Sequence, residues 1–154
     1  MIILIMSYVF YYLTFAWSLF WGGVLLIPPG PREIPSCLRL NFLNGVTSSA
    51  LSILCLSGYI SDTIAISSVL GYFITDLINM ILNDFYYKVK SYHTPSSRKI
   101  EFCHHILCSI VCIISRKYKN YCQVIINPVV VIVLAEISTP FLIAWRWTNQ
   151  KNII

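Results

Sequence analysis

The chain has 154 residues, enough for one domain, of which 57% are hydrophobic and 11% are charged. A soluble globular domain carries roughly 25% charged residues, so the composition excludes an ordinary soluble domain and indicates a polytopic membrane protein. The net charge is +5, and the sequence contains no basic block with interleaved aromatic residues, which argues against nucleic acid as a partner.

Five apolar segments predict an all-α fold, a polytopic transmembrane helix bundle of about five membrane helices. The segments are 1–27, 42–60, 64–85, 102–115 and 123–145. A membrane helix needs about 20 apolar residues, so the fourth segment, with about 14, is short for a full span and fits a tilted or re-entrant segment. The first segment lacks the basic start of a signal peptide and is predicted to be retained. The one long hydrophilic loop is predicted at 86–99.

Prolines and small residues mark helix ends, a bend and a close contact. Residues 28–31 read Pro-Pro-Gly-Pro and end the first helix, because proline cannot continue the hydrogen-bond ladder. Pro140 clashes with the carbonyl of Glu136, which predicts a kink in the fifth segment. Small residues such as Gly45 predict that the second segment approaches another helix closely. Residues 145–147, Trp-Arg-Trp, are predicted to anchor a helix end at the membrane interface.

Ionisable residues interrupt three of the apolar segments. Asp76 lies inside the third, His104 and His105 lie near the start of the fourth, three and four residues after Glu101, and Glu136 lies inside the fifth. Such groups are costly in hydrocarbon and are candidate functional residues by default. At 1.5 Å per residue, Asp76 and Glu136 lie roughly 13 Å, and the histidines roughly 3–5 Å, from the same membrane surface. We therefore expect one polar cluster inside the bundle.

The chemistry of this cluster stays open between several interpretations. A hydrogen-bond network that fixes helix register, or a site for lipid head groups, needs no reaction. Because histidine titrates near pH 6.5, His104 and His105 are also candidate catalytic bases for acyl transfer to a hydroxyl or an amine.

A metal site is the third interpretation. His104, Cys108 and Cys112 fall on one helical face at i, i+4 and i+8. Zinc sites usually draw ligand pairs from two elements, and no second Cys/His pair occurs, so neither a metal nor another cofactor is predicted. The six cysteines are expected to be free thiols in helices.

Three stretches resemble the signature stretches of the TLC-domain membrane protein family, most closely its type 4 members. They are residues 71–77 (GYFITDL), the histidine pair 104–105, and residues 134–141 (LAEISTPF). Their order and separation fit the family. Residues 44–52 are similar to a further family helix that reads Asn…Ser…His-Ser, with Ser52 at the place of the histidine.

The resemblance implies a multipass protein of the endoplasmic reticulum or a related endomembrane. It divides the chain into an N-terminal transmembrane helix with its connector at 1–38, a TLC-like domain at 39–147 and a polar tail at 148–154. Family members tend to continue for one or two more helices, so the chain is expected to be a truncated or divergent copy. Ceramide synthases of the family use the histidine pair with a later Asp pair, and no Asp follows Asp84.

The predicted function is therefore lipid homeostasis through lipid binding, sensing or trafficking. Membrane lipids are the expected partners, through acyl chains or sphingolipid-like head groups. The predicted binding residues are Asp76, His104, His105 and Glu136. The alternatives are an acyl-CoA-dependent acyltransferase of the ceramide-synthase kind and a membrane cargo or interaction protein.

Overall fold

The computed structural model describes residues 2–26, 36–86, 95–118, 127–142 and 144, and within them it contains helices and no strand. This confirms the predicted all-α class. The helices are α1 (Ile2–Leu26), α2 (Ser36–Leu56), α3 (Asp62–Ile81), α4 (Pro95–Lys117) and α5 (Pro128–Glu136), and a π-helical turn (Leu82–Tyr86) continues α3.

Two helical stretches are long and apolar enough to cross a membrane. They are Tyr8–Leu26 in α1 and Asp62–Tyr86, which joins α3 to its π-helical turn. Within the described residues the other predicted segments do not meet this criterion of length and composition. Five membrane spans thus remain a prediction.

α3 is the central helix, and α1, α2 and α4 pack against it while α5 packs against α2. Side chains of α1 and α3 donate hydrogen bonds to backbone carbonyls of the other helix. Trp21 Nε1 donates to Ser68 O at 3.2 Å, Ser18 Oγ to Gly71 O at 3.3 Å, and Thr75 Oγ1 to Ser18 O at 3.1 Å. Since 21 pairs with 68 and 18 with 71 and 75, the two helices run antiparallel.

Two glycines allow neighbouring backbones to approach closely. A Cβ on Gly71 would lie 2.7 Å from Trp17 Cβ, so α1 lies against the bare backbone of α3. A Cβ on Gly45 would lie 2.8 Å from Pro140 Cδ. The close approach that the sequence predicts for the second segment is therefore found at Gly45, against the chain that follows α5.

The fourth helix begins earlier than the sequence predicts. α4 starts at Pro95, inside the predicted loop 86–99, and proline is favoured in a first turn because its missing amide has no helical partner there. Arg98 fixes this turn by donating to Asp84 at 2.9 and 3.1 Å and to Glu101 at 3.2 Å. Burial alone would lower the pKa of the Arg98 guanidinium, but these bonds outweigh it and raise the pKa.

The fifth segment is broken rather than kinked. Asn127 Oδ1 accepts the Val129 amide at 3.0 Å and caps the start of α5. The helix ends at Glu136, a turn follows, and the Leu142 amide then donates to Ser138 O at 3.0 Å. The break lies where Pro140 cannot donate to the carbonyl of residue 136. The predicted helix stop at 28–31, the anchor at 145–147 and the tail at 148–154 lie outside the described residues.

Candidate functional site

A buried Asp–His pair joins α3 to α4. Asp76 and His105 are 4% and 5% exposed, and His105 Nε2 lies 2.9 Å from Asp76 Oδ2. The distance is that of an ion pair, although the atoms do not meet hydrogen-bond geometry, and Asp76 Oδ1 has no hydrogen-bond partner among the described residues. The rings of Tyr72 and Phe73 pack beside the imidazole, with centroid distances of 5.8 and 5.2 Å.

The contacts of His105 determine where its protons lie. Its Nδ1 is 2.9 Å from the carbonyl oxygen of Glu101, and a carbonyl only accepts, so Nδ1 carries a hydrogen. Its Nε2 faces a carboxylate oxygen of Asp76 at 2.9 Å, the distance of an ion pair. Both ring nitrogens are thus engaged by the protein, and neither is free for a substrate.

A second polar network joins α2 to α5. Glu136 is 8% exposed, and its Oε2 accepts a hydrogen bond from Asn44 Nδ2 at 3.3 Å. Ser48 Oγ donates to Asn44 Oδ1 at 2.8 Å, which fixes the orientation of the amide. Asn44 and Ser48 are 1% and 0% exposed, so the network supplies a partner for a carboxylate that would otherwise be costly to bury.

An apolar groove of about 490 Å³ lies between α3, α4 and α5. We call it the α4 groove. Leu107 and Val111 on its wall are 61% and 53% exposed, so the groove is open on one side. Its volume falls within the roughly 300–1,000 Å³ of typical small-ligand sites. The residues that line it are Ile66, Val69 and Phe73 of α3, His104, Leu107, Cys108, Val111, Cys112, Ile114 and Ser115 of α4, and Val131, Ile132, Ala135 and Glu136 of α5.

A few polar and ionisable side chains interrupt the apolar wall of the α4 groove. His104 and Ser115 mark the two ends of its α4 wall, about 17 Å apart at 1.5 Å per residue. Cys108 Sγ lies 3.6 Å from Nδ1 and 3.7 Å from Nε2 of His104. Glu136 is close enough for its charge to act on Cys108 and Cys112. The groove is therefore mostly apolar, with His104 at one end of its α4 wall and Glu136 facing the middle cysteines.

The four predicted site residues form two groups rather than one cluster. Asp76 and His105 meet inside the α3–α4 contact and do not line the α4 groove, whereas His104 and Glu136 do. Neighbouring residues on a helix point about 100° apart, so the two histidines face different surroundings. Phe73 lies beside both of them, with ring centroids 5.7 Å from His104 and 5.2 Å from His105.

The early start of α4 places the histidines well inside the helix. α4 begins at Pro95, so His105 lies ten residues, about 15 Å, from the start of the helix. Asp76 lies ten residues before Tyr86, the end of the π-helical turn. The two side chains are therefore at the same level along antiparallel helices, and they can meet.

Asn44 is a residue of the site that the predicted set of ionisable residues does not include. The small residues of the stretch 44–52 and its resemblance to a family helix do not by themselves assign a role to this amide. An amide inside an apolar segment, four residues before Ser48, was the available signal, because i and i+4 side chains are neighbours on a helix. Within the described residues, no three His, Cys, Asp or Glu side chains come together as a metal site.

Comparisons of the chain with protein-family models, with curated proteins and with solved structures find no match. The resemblance to the TLC-domain family therefore depends on the four stretches alone. In the structure, residues 71–77 lie in α3, 104–105 in α4 and 44–52 in α2, while 134–141 cover the end of α5 and the turn after it.

Proposed function

We propose that the chain is an integral membrane protein that binds a single-chain amphiphile, such as a membrane lipid with one acyl chain, in the α4 groove. The observation that carries the proposal is an open apolar groove whose wall includes a few ionisable side chains. An acyl chain would occupy the apolar part, between Val111 and Ile132. A head group that donates and accepts hydrogen bonds would lie near His104 and Glu136.

The outer face of α1 supports a membrane location. Tyr8, Tyr12, Phe15 and Leu19 follow one another at helical spacing and are 69%, 73%, 62% and 62% exposed. A contiguous apolar face of this kind is unfavourable in water and is typical of a surface that contacts lipid or another apolar partner. Because α1 is also long enough to span a bilayer, we propose that lipid covers this face.

The buried pair gives the groove a rigid wall. Asp76 and His105 attach α4 to α3, and Asn44 attaches α2 to Glu136. These contacts hold in place the helices that carry His104 and Glu136. We assign His104 and Glu136 to ligand contact, and Asp76 and His105 to support of the site.

Membership of the TLC-domain family and a place in the endoplasmic reticulum or a related endomembrane belong to the same proposal. The four resembling stretches contribute the residues of two interhelical contacts, Asp76 with His105 and Asn44 with Glu136. These two contacts support the resemblance, and with it a role in lipid homeostasis. Five membrane spans and the division at residues 38 and 147 are part of this proposal.

The acyltransferase alternative has weaker support. A general base needs a nitrogen within hydrogen-bond reach of the substrate, and both nitrogens of His105 face protein atoms. His104 lines the groove, but its ring contacts a thiol rather than a carboxylate that would orient it. No surface among the described residues selects a protein cargo, so we argue lipid binding.

A pair of neighbouring substitutions tests the proposal. Leu107 lines the α4 groove and Ile106 does not, and both are exposed. In purified protein in detergent, we expect Leu107→Trp to fill the groove and to raise the Kd for tritiated hexadecanol about tenfold, a change of about 1.4 kcal/mol. Ile106→Trp should leave the Kd unchanged. Equal Kd values for wild type and both variants would show that the ligand, if it binds, lies elsewhere.

A further inference from the structure

We propose that Cys108 is a covalent acceptor for electrophilic single-chain lipids, specifically α,β-unsaturated long-chain aldehydes. This inference rests on the proposed binding of such chains in the α4 groove. It concerns the thiol of Cys108, which the binding function leaves unused and which contacts the imidazole of His104 on the groove wall.

The geometry places a nucleophile, a base and an apolar channel together. Cys108 Sγ lies 3.6 Å and 3.7 Å from the two nitrogens of His104, so a rotation of the imidazole ring would direct one nitrogen at the thiol proton. Both residues line the groove. An apolar wall disfavours a free thiolate, so a thiol at this position needs a base in contact, and His104 supplies one.

Conjugate addition balances without any further reactant. The thiol proton passes to a His104 nitrogen, and Sγ of Cys108 attacks the β-carbon of the aldehyde. The carbon–carbon π electrons move to form an enolate. The imidazolium of His104 then returns the proton to the α-carbon. One S–C and one C–H bond form, one S–H bond and one C=C π bond are lost, and the imidazole is regenerated.

None of the other described cysteines is both accessible and part of the groove wall. Cys103 is exposed but does not line the groove. Cys112 lines the groove but is buried, 5% exposed. Cys55 lies on α2, away from the groove wall. Chain-directed selectivity for Cys108 over Cys103 therefore distinguishes a site from general thiol reactivity.

The test follows adduct formation on the full chain in detergent. Purified protein is treated with trans-2-hexadecenal, reduced with borohydride, digested, and each cysteine peptide is quantified by mass spectrometry over time. We expect the Cys108 adduct to form at least about tenfold faster than the Cys103 adduct, since positioned acid–base groups contribute 10²–10⁴-fold. Acrolein, which has no chain, should react first at exposed Cys103.

A variant of His104 tests its role as the base. At saturating aldehyde, where affinity does not enter, His104→Gln should slow the Cys108 adduct about tenfold or more. Adducts at Cys103 as fast as at Cys108, or an unchanged rate in His104→Gln, would overturn the inference. Binding of tritiated hexadecanol without any Cys108 adduct would overturn it while leaving the proposed function intact. Absence of both binding and adduct would overturn the proposed function itself.

Discussion

Replacing Gly71 with alanine tests the closest helix contact in the fold. The added Cβ would lie 2.7 Å from Trp17 Cβ, 3.0 Å from the Ser18 amide nitrogen and 3.0 Å from Thr14 O. Two of these neighbours are backbone atoms and the third is a Cβ, so none can move aside by a side-chain rotation. Overpacking of this kind costs about 1–3 kcal/mol. Alanine has a helix propensity about 1 kcal/mol more favourable than that of glycine. We therefore expect the free energy of unfolding to fall by about 0–2 kcal/mol.

The matched controls are Gly22→Ala and Gly23→Ala on α1, where no atom lies within 4 Å of the added Cβ. They receive the same gain in propensity without the clash and should be stabilised by about 1 kcal/mol. Titration with SDS from mixed micelles measures the free energy of unfolding of all three variants. Gly71→Ala should fall about 1–3 kcal/mol below the controls. A Gly71→Ala protein as stable as Gly22→Ala would refute the close α1–α3 contact.

Three other contacts give predictions with the same unfolding titration or with hydrogen exchange. Asp76→Asn should lower the free energy of unfolding by less than about 1 kcal/mol, because an amide can donate to neutral His105 Nε2. Asp76→Leu leaves that nitrogen unpaired and should lower it by about 1–3 kcal/mol. Equal losses for the two variants would contradict the assignment of the hydrogen to Nδ1. Asn44→Leu should lower the free energy of unfolding by about 1–3 kcal/mol, and by less when Glu136→Leu is already present. Additive losses would argue against the hydrogen bond between Asn44 and Glu136. Arg98→Ala should cost about 1 kcal/mol or less but should speed amide exchange in the first turn of α4; an unchanged exchange rate would show that the turn does not depend on Arg98.

The helical class could be predicted because composition and apolar runs determine it. The 57% hydrophobic content predicts helices of a membrane protein, and the apolar runs are too long for strands. The start of α4 could not be predicted in this way. Pro95 and the hydrophilic residues after it read as a loop, and the ion pairs of Arg98 with Asp84 and Glu101 become visible only when the end of α3 lies beside them.

The candidate site was predictable as a set of residues but not as an arrangement. Isolated ionisable residues in apolar segments identify Asp76, the histidine pair and Glu136. Whether each residue joins the buried pair or the groove wall depends on how the helices are rotated relative to one another. The spacing of residues in the sequence does not determine that rotation. Asn44 shows the same limit, since an amide has no charge to mark it.

The two adjacent histidines have different roles because a helix rotates by about 100° per residue. His105 points into the α3–α4 contact, where Asp76 and the Glu101 carbonyl occupy both its nitrogens. His104 points into the α4 groove, where it meets only the thiol of Cys108 by hydrogen-bond contact among the described residues. Of these two histidines, His104 is therefore the one whose ring faces the groove and can contact a ligand, while the contacts of His105 hold the helix that carries both residues against α3.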